Sequence, residues 1–151
     1  MKLEEEIKQK KFRSEFQKLI INILFTGNSI QASQNKLFKP SGISLQQFNI
    51  LRILRGQHPN PATLGLIQER MLDKNSNASR LVDKLKLKKM VDRKESKTDR
   101  RQVDIVITQK GLDTLAELDV LIQKQEYFLN ILSETEAKKM NEFLDQLRDK
   151  L

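Results

Sequence analysis

The 151-residue sequence predicts a mainly α fold of the α+β class: amphipathic helices interrupted once by a β-hairpin, with long helices at both ends. Apolar residues recur at spacings of three and four through most of the chain, which is the helical period. The period shortens to two in one place, where Val103, Ile105 and Ile107 alternate with polar or smaller neighbours. Two boxes, Ser44 with Gln47 and Ser133 with Glu136, mark helix starts at which each side chain bonds the other residue's free backbone N–H. The length suits one compact domain, or a small one with helical extensions.

The elements follow in order. Phe12, Phe16, Leu19, Ile20, Ile23 and Ile30 form a helical stripe over residues 12–30, widened by Leu24 and Phe25, and Gly27 is a point where this helix can bend. Lys39-Pro40-Ser41-Gly42 is turn chemistry. The helix opened by Ser44 buries Phe48, Leu51 and Leu54, with Gly56 its expected stop. In the loop that follows, Asn60 is the expected cap and Pro61 the first helical residue. The third helix runs to Arg70 or Met71 and buries Leu64, Ile67 and Met71.

After a turn over residues 72–75, Asn75 or Ser76 opens a fourth helix, with Ala78, Leu81, Val82 and Leu85 inward and Met90 near its end. Residues 91–94 can pair with the strand around Ile105, and the polar stretch between them completes a hairpin. Thr108 caps a long helix through Leu112, Leu115, Leu118 and Ile122 to about residue 132, and the helix from Ser133 buries Met140, Phe143, Leu144, Leu147 and Leu151. Two short helices joined by a tight turn are a helix-turn-helix, and a hairpin directly after the second makes it winged.

Charge points to the same place. Twenty-eight Lys and Arg against twenty Asp and Glu give a net +8. Between Lys74 and Gln102 there are eleven basic and four acidic residues, a net +7, so the remaining chain is close to neutral. A one-signed region on a neutral protein is the footprint of a polyanion-binding surface, and this one coincides with the fourth helix and the hairpin. The absence of cysteine excludes disulfides, thiolate zinc sites and thiol redox sensing. No apolar run is long enough to span a membrane, and the start MKLEEEIKQKK, with its three glutamates, is unlike a signal peptide, so a cytoplasmic location is expected.

A helix in the major groove must bury one face and offer the other. Asn75, Ser76, Asn77, Ser79, Arg80 and Lys84 supply the offered face: Asn can pair bidentately with adenine, Arg with guanine, and Ser with phosphate or base. Asn and Ser also cap helices, a competing use of the same side chains. In the hairpin, Lys97, Asp99, Arg100 and Arg101 are candidate contacts. An arginine in the narrow, negative minor groove gains electrostatically without a base code, and a neighbouring carboxylate can hold its fork. An exposed ion pair is the bland alternative.

Ser79-Arg80-Leu81-Val82-Asp83-Lys84-Leu85, then Asp99-Arg100-Arg101, then Ile107-Thr108-Gln109-Lys110-Gly111 stand in an order and spacing that resembles the MarR (multiple antibiotic resistance regulator) family of winged helix-turn-helix transcription factors. Asp99 and Arg101 match the family's D-x-R wing motif, which implies that the arginine reaches the minor groove while the aspartate steadies the wing. Lys89 departs from the pattern, standing where the family usually has the glycine that ends the recognition helix; a left-handed Lys costs about 1 kcal/mol relative to Gly.

The resemblance implies a homodimer joined by its N- and C-terminal dimerisation helices, with residues 1–38 and 109–151 in that role and residues 44–108 as the DNA-binding module. The apolar stripes at the two ends, more than the short helices can cover, support the dimer independently. Two modules related by a two-fold would read half-sites about 34 Å apart on double-stranded DNA. The resemblance also implies a small aromatic or anionic effector, with Phe16, Leu19, Phe48 and Leu112 as candidate lining and core packing as the competing account of those positions. The expected function is a sequence-specific transcriptional regulator, a repressor released by such an effector. The alternative is a dimeric winged-helix module acting on a protein partner.

No enzyme is expected. His58, the single histidine, sits in a loop without cysteine or a carboxylate cluster nearby, and no phosphate loop or nucleophile elbow is present. One His and no Cys supply too few ligands for a zinc-responsive family member, so neither metal nor cofactor is expected. A single-strand binder would stack bases on aromatics, but all eight aromatic residues lie outside the basic window.

Overall fold

The computed structural model describes residues 1–95 and 103–151. They form two compact units, Met1–Leu115 and Ala116–Leu151. The first contains α1 (Leu3–Glu6), α2 (Glu15–Phe38), a 3-10 turn (Lys39–Ser41), α3 (Leu45–Gln57), β1 (Ala62–Thr63), α4 (Leu64–Arg70), α5 (Ala78–Leu87), β2 (Val91–Glu95) and β3 (Val103–Ile107). α6 (Gln109–Glu126) starts in this unit and continues into the second, which adds a 3-10 segment (Tyr127–Ile131) and α7 (Glu134–Arg148). The predicted mainly α, winged helix-turn-helix fold is observed.

Local chemistry explains most boundaries. The Ser14 hydroxyl accepts from Gln17 N at 3.2 Å, so the first long helix starts at Glu15 and not at Phe12. Gly42, at φ +67°, closes the turn before α3. Both expected boxes form: Ser44 N donates to Gln47 Oε1 at 3.0 Å, and Ser133 N to Glu136 Oε2 at 2.8 Å.

Two expected helix starts are corrected. α4 begins at Leu64, capped by Thr63, whose Oγ1 accepts from Leu66 N at 3.2 Å. Asn60 and Pro61 do not open it, because Ala62 and Thr63 are extended and pair with Ile105 and Asp104 of β3. α5 is capped by Asn77, not by Asn75 or Ser76; there Ala78 N is already drawn to Gln68 Oε1 at 3.3 Å. α3 also passes Gly56 and stops at Gln57, and α6 gives way to the 3-10 segment at Tyr127, short of residue 132.

The sheet runs β1-β3-β2, all antiparallel, with Val91 opposite Ile107 and Arg93 opposite Ile105. Phe38, Ile50, Leu51, Leu54, Ile67, Met71, Val82, Leu85, Val91 and Ile105 are almost completely buried, and the Phe38 and Phe48 rings lie 4.7 Å apart. α7 is different. Met140, Phe143, Leu144 and Leu147, expected to be buried, are exposed in the single chain, Phe143 to 68%, and Leu151 lies exposed beyond the helix. In the second unit Leu118 is buried. Among the described residues no helix is long and apolar enough to cross a membrane.

Candidate nucleic-acid interface

α5 divides into faces as its 3.6-residue period requires. Ala78, Val82 and Leu85 are buried. Arg80 and Lys84, one turn apart, lie opposite them and are exposed. Ser79 and Asp83, also one turn apart, occupy the flank next to β2. With Ser76, Asn77, Leu81 and Gln46 of α3, Arg80 and Lys84 line an open depression of about 240 Å³. Gln46 was missed in the sequence because it carries no charge and lies outside the basic window.

The residues before α5 are organised around Asp73. Its Oδ1 accepts from Asn75 N at 3.0 Å and its Oδ2 from the Ser76 hydroxyl at 2.7 Å. Gln68 holds the other side of this turn, donating to Lys74 O at 2.9 Å. Asn77 Oδ1 accepts from Arg80 N at 2.9 Å, so its side chain caps the helix with the carbonyl and keeps the amide NH2 for another partner. Capping takes one of the two lone pairs on Oδ1, so Asn77 keeps its whole NH2 and a single lone pair for a base edge. Asn75 lies in the turn and is exposed, and Ser79 is half-buried.

The far end of α5 is held by a Schellman arrangement: Met90 N donates to Leu85 O at 3.0 Å and Lys89 N to Lys86 O at 2.8 Å. Lys89 adopts φ +59°, so the expected left-handed lysine is present at the helix exit. The start of α6 grips the same exit. Thr108 N bonds Met90 O at 3.1 Å, the Thr108 hydroxyl Lys89 O at 2.8 Å, and Lys110 Nζ Lys88 O at 2.9 Å. Gly111 permits this approach, because a Cβ there would stand 2.4 Å from Met90 O.

Two cations of the basic window turn inward, which charge counting could not reveal. Lys88 donates to Gly42 O and, at 3.2 Å, to Gln47 Oε1; burial first, then the Lys84 charge, push its ammonium below the ordinary lysine pKa. Arg93 places Nη1 2.7 Å from Asp83 Oδ1 and Nη2 3.3 Å from Ser79 O. Its alternation with buried Val91 in β2 was the available signal.

The sequence-predicted contacts Lys97, Asp99, Arg100 and Arg101 lie outside the described residues. Of the predicted effector lining, Phe16 and Leu19 are exposed, to 80% and 53%, Leu112 is half-buried, and Phe48 packs in the core against Phe38. Among the described residues no three His, Cys, Asp or Glu side chains gather as a metal site.

Comparison with known proteins places this geometry. A profile described as the MarR family matches residues 41–102. The chain is 30% identical over 138 residues to the HTH-type transcriptional regulator MhqR of Bacillus subtilis, covering 86% of this chain and 89% of that protein. Its fold matches that of MepR from S. aureus, solved as a DNA complex, with TM-score 0.79 at 18% identity over 93% of this chain and 100% of the other. It also matches the organohalide-sensing transcriptional regulator RdhR in its 2,4-dichlorophenol-bound form, with TM-score 0.81 at 17% identity over 94% and 86%.

Proposed function

The chain belongs to the MarR family of transcriptional regulators, and from that premise we propose that it binds double-stranded DNA sequence-specifically as a homodimer and represses from a pseudo-palindromic operator. The carrying observation is that α5 turns Arg80 and Lys84 away from its buried face while Asn77 and Ser76 stand at its N-terminus and Gln46 beside them. Cations and side-chain hydrogen-bond donors thus line one depression at the start of α5, the residue types that contact phosphates and base edges. Residues 44–108 serve as the DNA module in this reading. Asn75, Ser79 and the segment with Lys97, Asp99, Arg100 and Arg101 complete its contacts, Arg101 in the minor groove.

Residues 1–38 and 109–151 carry the dimer. The support is the apolar surface left open by the single chain on α2 and α7. A small aromatic or anionic effector acts by favouring a half-site separation that does not fit DNA, with Phe16, Leu19, Phe48 and Leu112 as the proposed lining.

Fluorescence anisotropy on a random-sequence duplex tests the reading. A DNA binder loses affinity steeply with salt as counterions are released, and Arg101→Ala weakens binding about tenfold or more while leaving the dimer intact. Flat, weak binding at every salt concentration would leave the protein-partner module as the answer. An unchanged Arg101→Ala affinity would remove the wing role alone.

A further inference from the structure

We propose that Arg93 is a positioning residue, which fixes the recognition helix against the wing strand through Asp83 and Ser79 and does not itself neutralise phosphate. The inference rests on the reading of α5 and the β2–β3 pair as the DNA-binding surface. It separates two kinds of cation within the basic window, those aimed at a ligand and those aimed at the protein.

The separation follows from register. In a strand, alternate residues share a face, so Arg93 lies on the same face of β2 as Val91, which is fully buried. Asp92 and Lys94 fall on the other face. On α5, Ser79 and Asp83 are one turn apart on the flank toward this strand. The guanidinium spans that turn, with Nη1 2.7 Å from the Asp83 carboxylate and Nη2 3.3 Å from the Ser79 carbonyl. The third nitrogen, Nε, is buried with no partner among the described residues. The Arg93 side chain retains 25% of its exposure and that of Asp83 54%.

All three nitrogens thus lie against the protein: two bond α5 and one is shut off from solvent. A planar fork can hold two acceptors at fixed separation, whereas an ammonium on a flexible stem cannot. Arg80 and Lys84, one residue further round the same helix, are exposed and line the depression with Gln46. Adjacent positions in one helix therefore have different employments, and Asp83, an acidic residue amid cations, is explained as the anchor for Arg93.

The proposal makes a prediction opposite in sign to charge counting. Removing Asp83 deletes a negative charge beside a polyanion, which on electrostatics alone strengthens binding. If Arg93 acts by positioning, Asp83→Ala instead loosens α5, and affinity for a random-sequence duplex falls about fivefold. Arg93→Met, which keeps the aliphatic stem, gives a similar loss with the salt slope unchanged. Arg80→Ala, by contrast, lowers the slope by about one, as loss of a phosphate contact should.

The two variants and the charge-exchanged double variant Asp83→Arg/Arg93→Asp are measured beside the wild type. Circular dichroism checks folding, and amide hydrogen exchange of α5 is followed without DNA. Faster exchange across residues 79–85 in both single variants, with recovery of at least half the affinity in the double variant, is the expected result. Tighter binding by Asp83→Ala, a smaller salt slope in Arg93→Met, or unchanged exchange in both single variants would overturn the proposal. If the wild type shows no salt-dependent DNA binding, the DNA-binding function fails separately, and the exchange arm still decides whether Arg93 and Asp83 hold α5.

Discussion

The unit Met1–Leu115 and the unit Ala116–Leu151 are built with the same local grammar and finish differently. Each contains a helix opened by a complete Ser-led capping box, α3 in one and α7 in the other. α3 then buries Phe48, Ile50, Leu51 and Leu54. α7 has a comparable apolar stripe, yet Met140, Phe143, Leu144 and Leu147 stay open to solvent. Capping chemistry decides where a helix begins, and burial decides whether the helix belongs to this chain's own core. Isolated helices of such length are marginal in water, and the contrast supports the proposal that a second copy covers α7.

The comparison breaks if stability in the two units responds alike to truncation. Leu51→Ala, in the closed core, should lower stability by about 2–5 kcal/mol, and denaturant unfolding should show that loss at every protein concentration. Phe143→Ser should instead act through association: about 2 kcal/mol or more of dimer stability lost, read by light scattering as a shift toward monomer, with a melting temperature that no longer depends on concentration.

Smaller effects sharpen the contrast. Lys89→Gly relieves a left-handed lysine in the first unit and should raise stability by about 1 kcal/mol, visible as a higher denaturant midpoint with unchanged slope. The smallest effect belongs to the second unit. The Ser133 backbone N–H, then its hydroxyl, hold the exposed Glu136 carboxyl below its ordinary pKa. A carboxyl depressed in the folded state stabilises above its unfolded pKa, and that contribution disappears as pH falls through the folded value. Helicity measured during acidification should therefore lose a small component that Glu136→Gln lacks.

What could be read in the sequence was what a few neighbouring residues decide. The boxes at Ser44 and Ser133, the alternation of Val103, Ile105 and Ile107, and the buried faces of α3 and α5 all depend on residues within one or two turns. The starts of α4 and α5 were misplaced because several adjacent residues could cap. The choice fell to distant atoms: the β3 strand extends Ala62 and Thr63, and Gln68 holds Ala78 N. The inward turn of Arg93 and Lys88 was hidden for the same reason, since their partners lie ten or more residues away. For α7 the sequence showed a surplus of apolar surface at the chain's ends, but not which residues the single chain leaves open, because a stripe reports that a face wants cover without saying which chain supplies it.

The cap at the start of α5 bears on how strict an operator needs to be. With one lone pair of its carbonyl oxygen engaged by Arg80 N and both amide hydrogens unassigned to the cap, Asn77 offers a base edge more donor than acceptor capacity. In the major groove adenine and guanine both offer N7 and thymine offers O4, whereas cytosine presents only its own donor. A base pair met by Asn77 through that NH2 alone would be selected by the exclusion of cytosine on the contacted strand and left otherwise tolerant. A single helix-capping bond would then appear in the genome as one degenerate letter in each half-site.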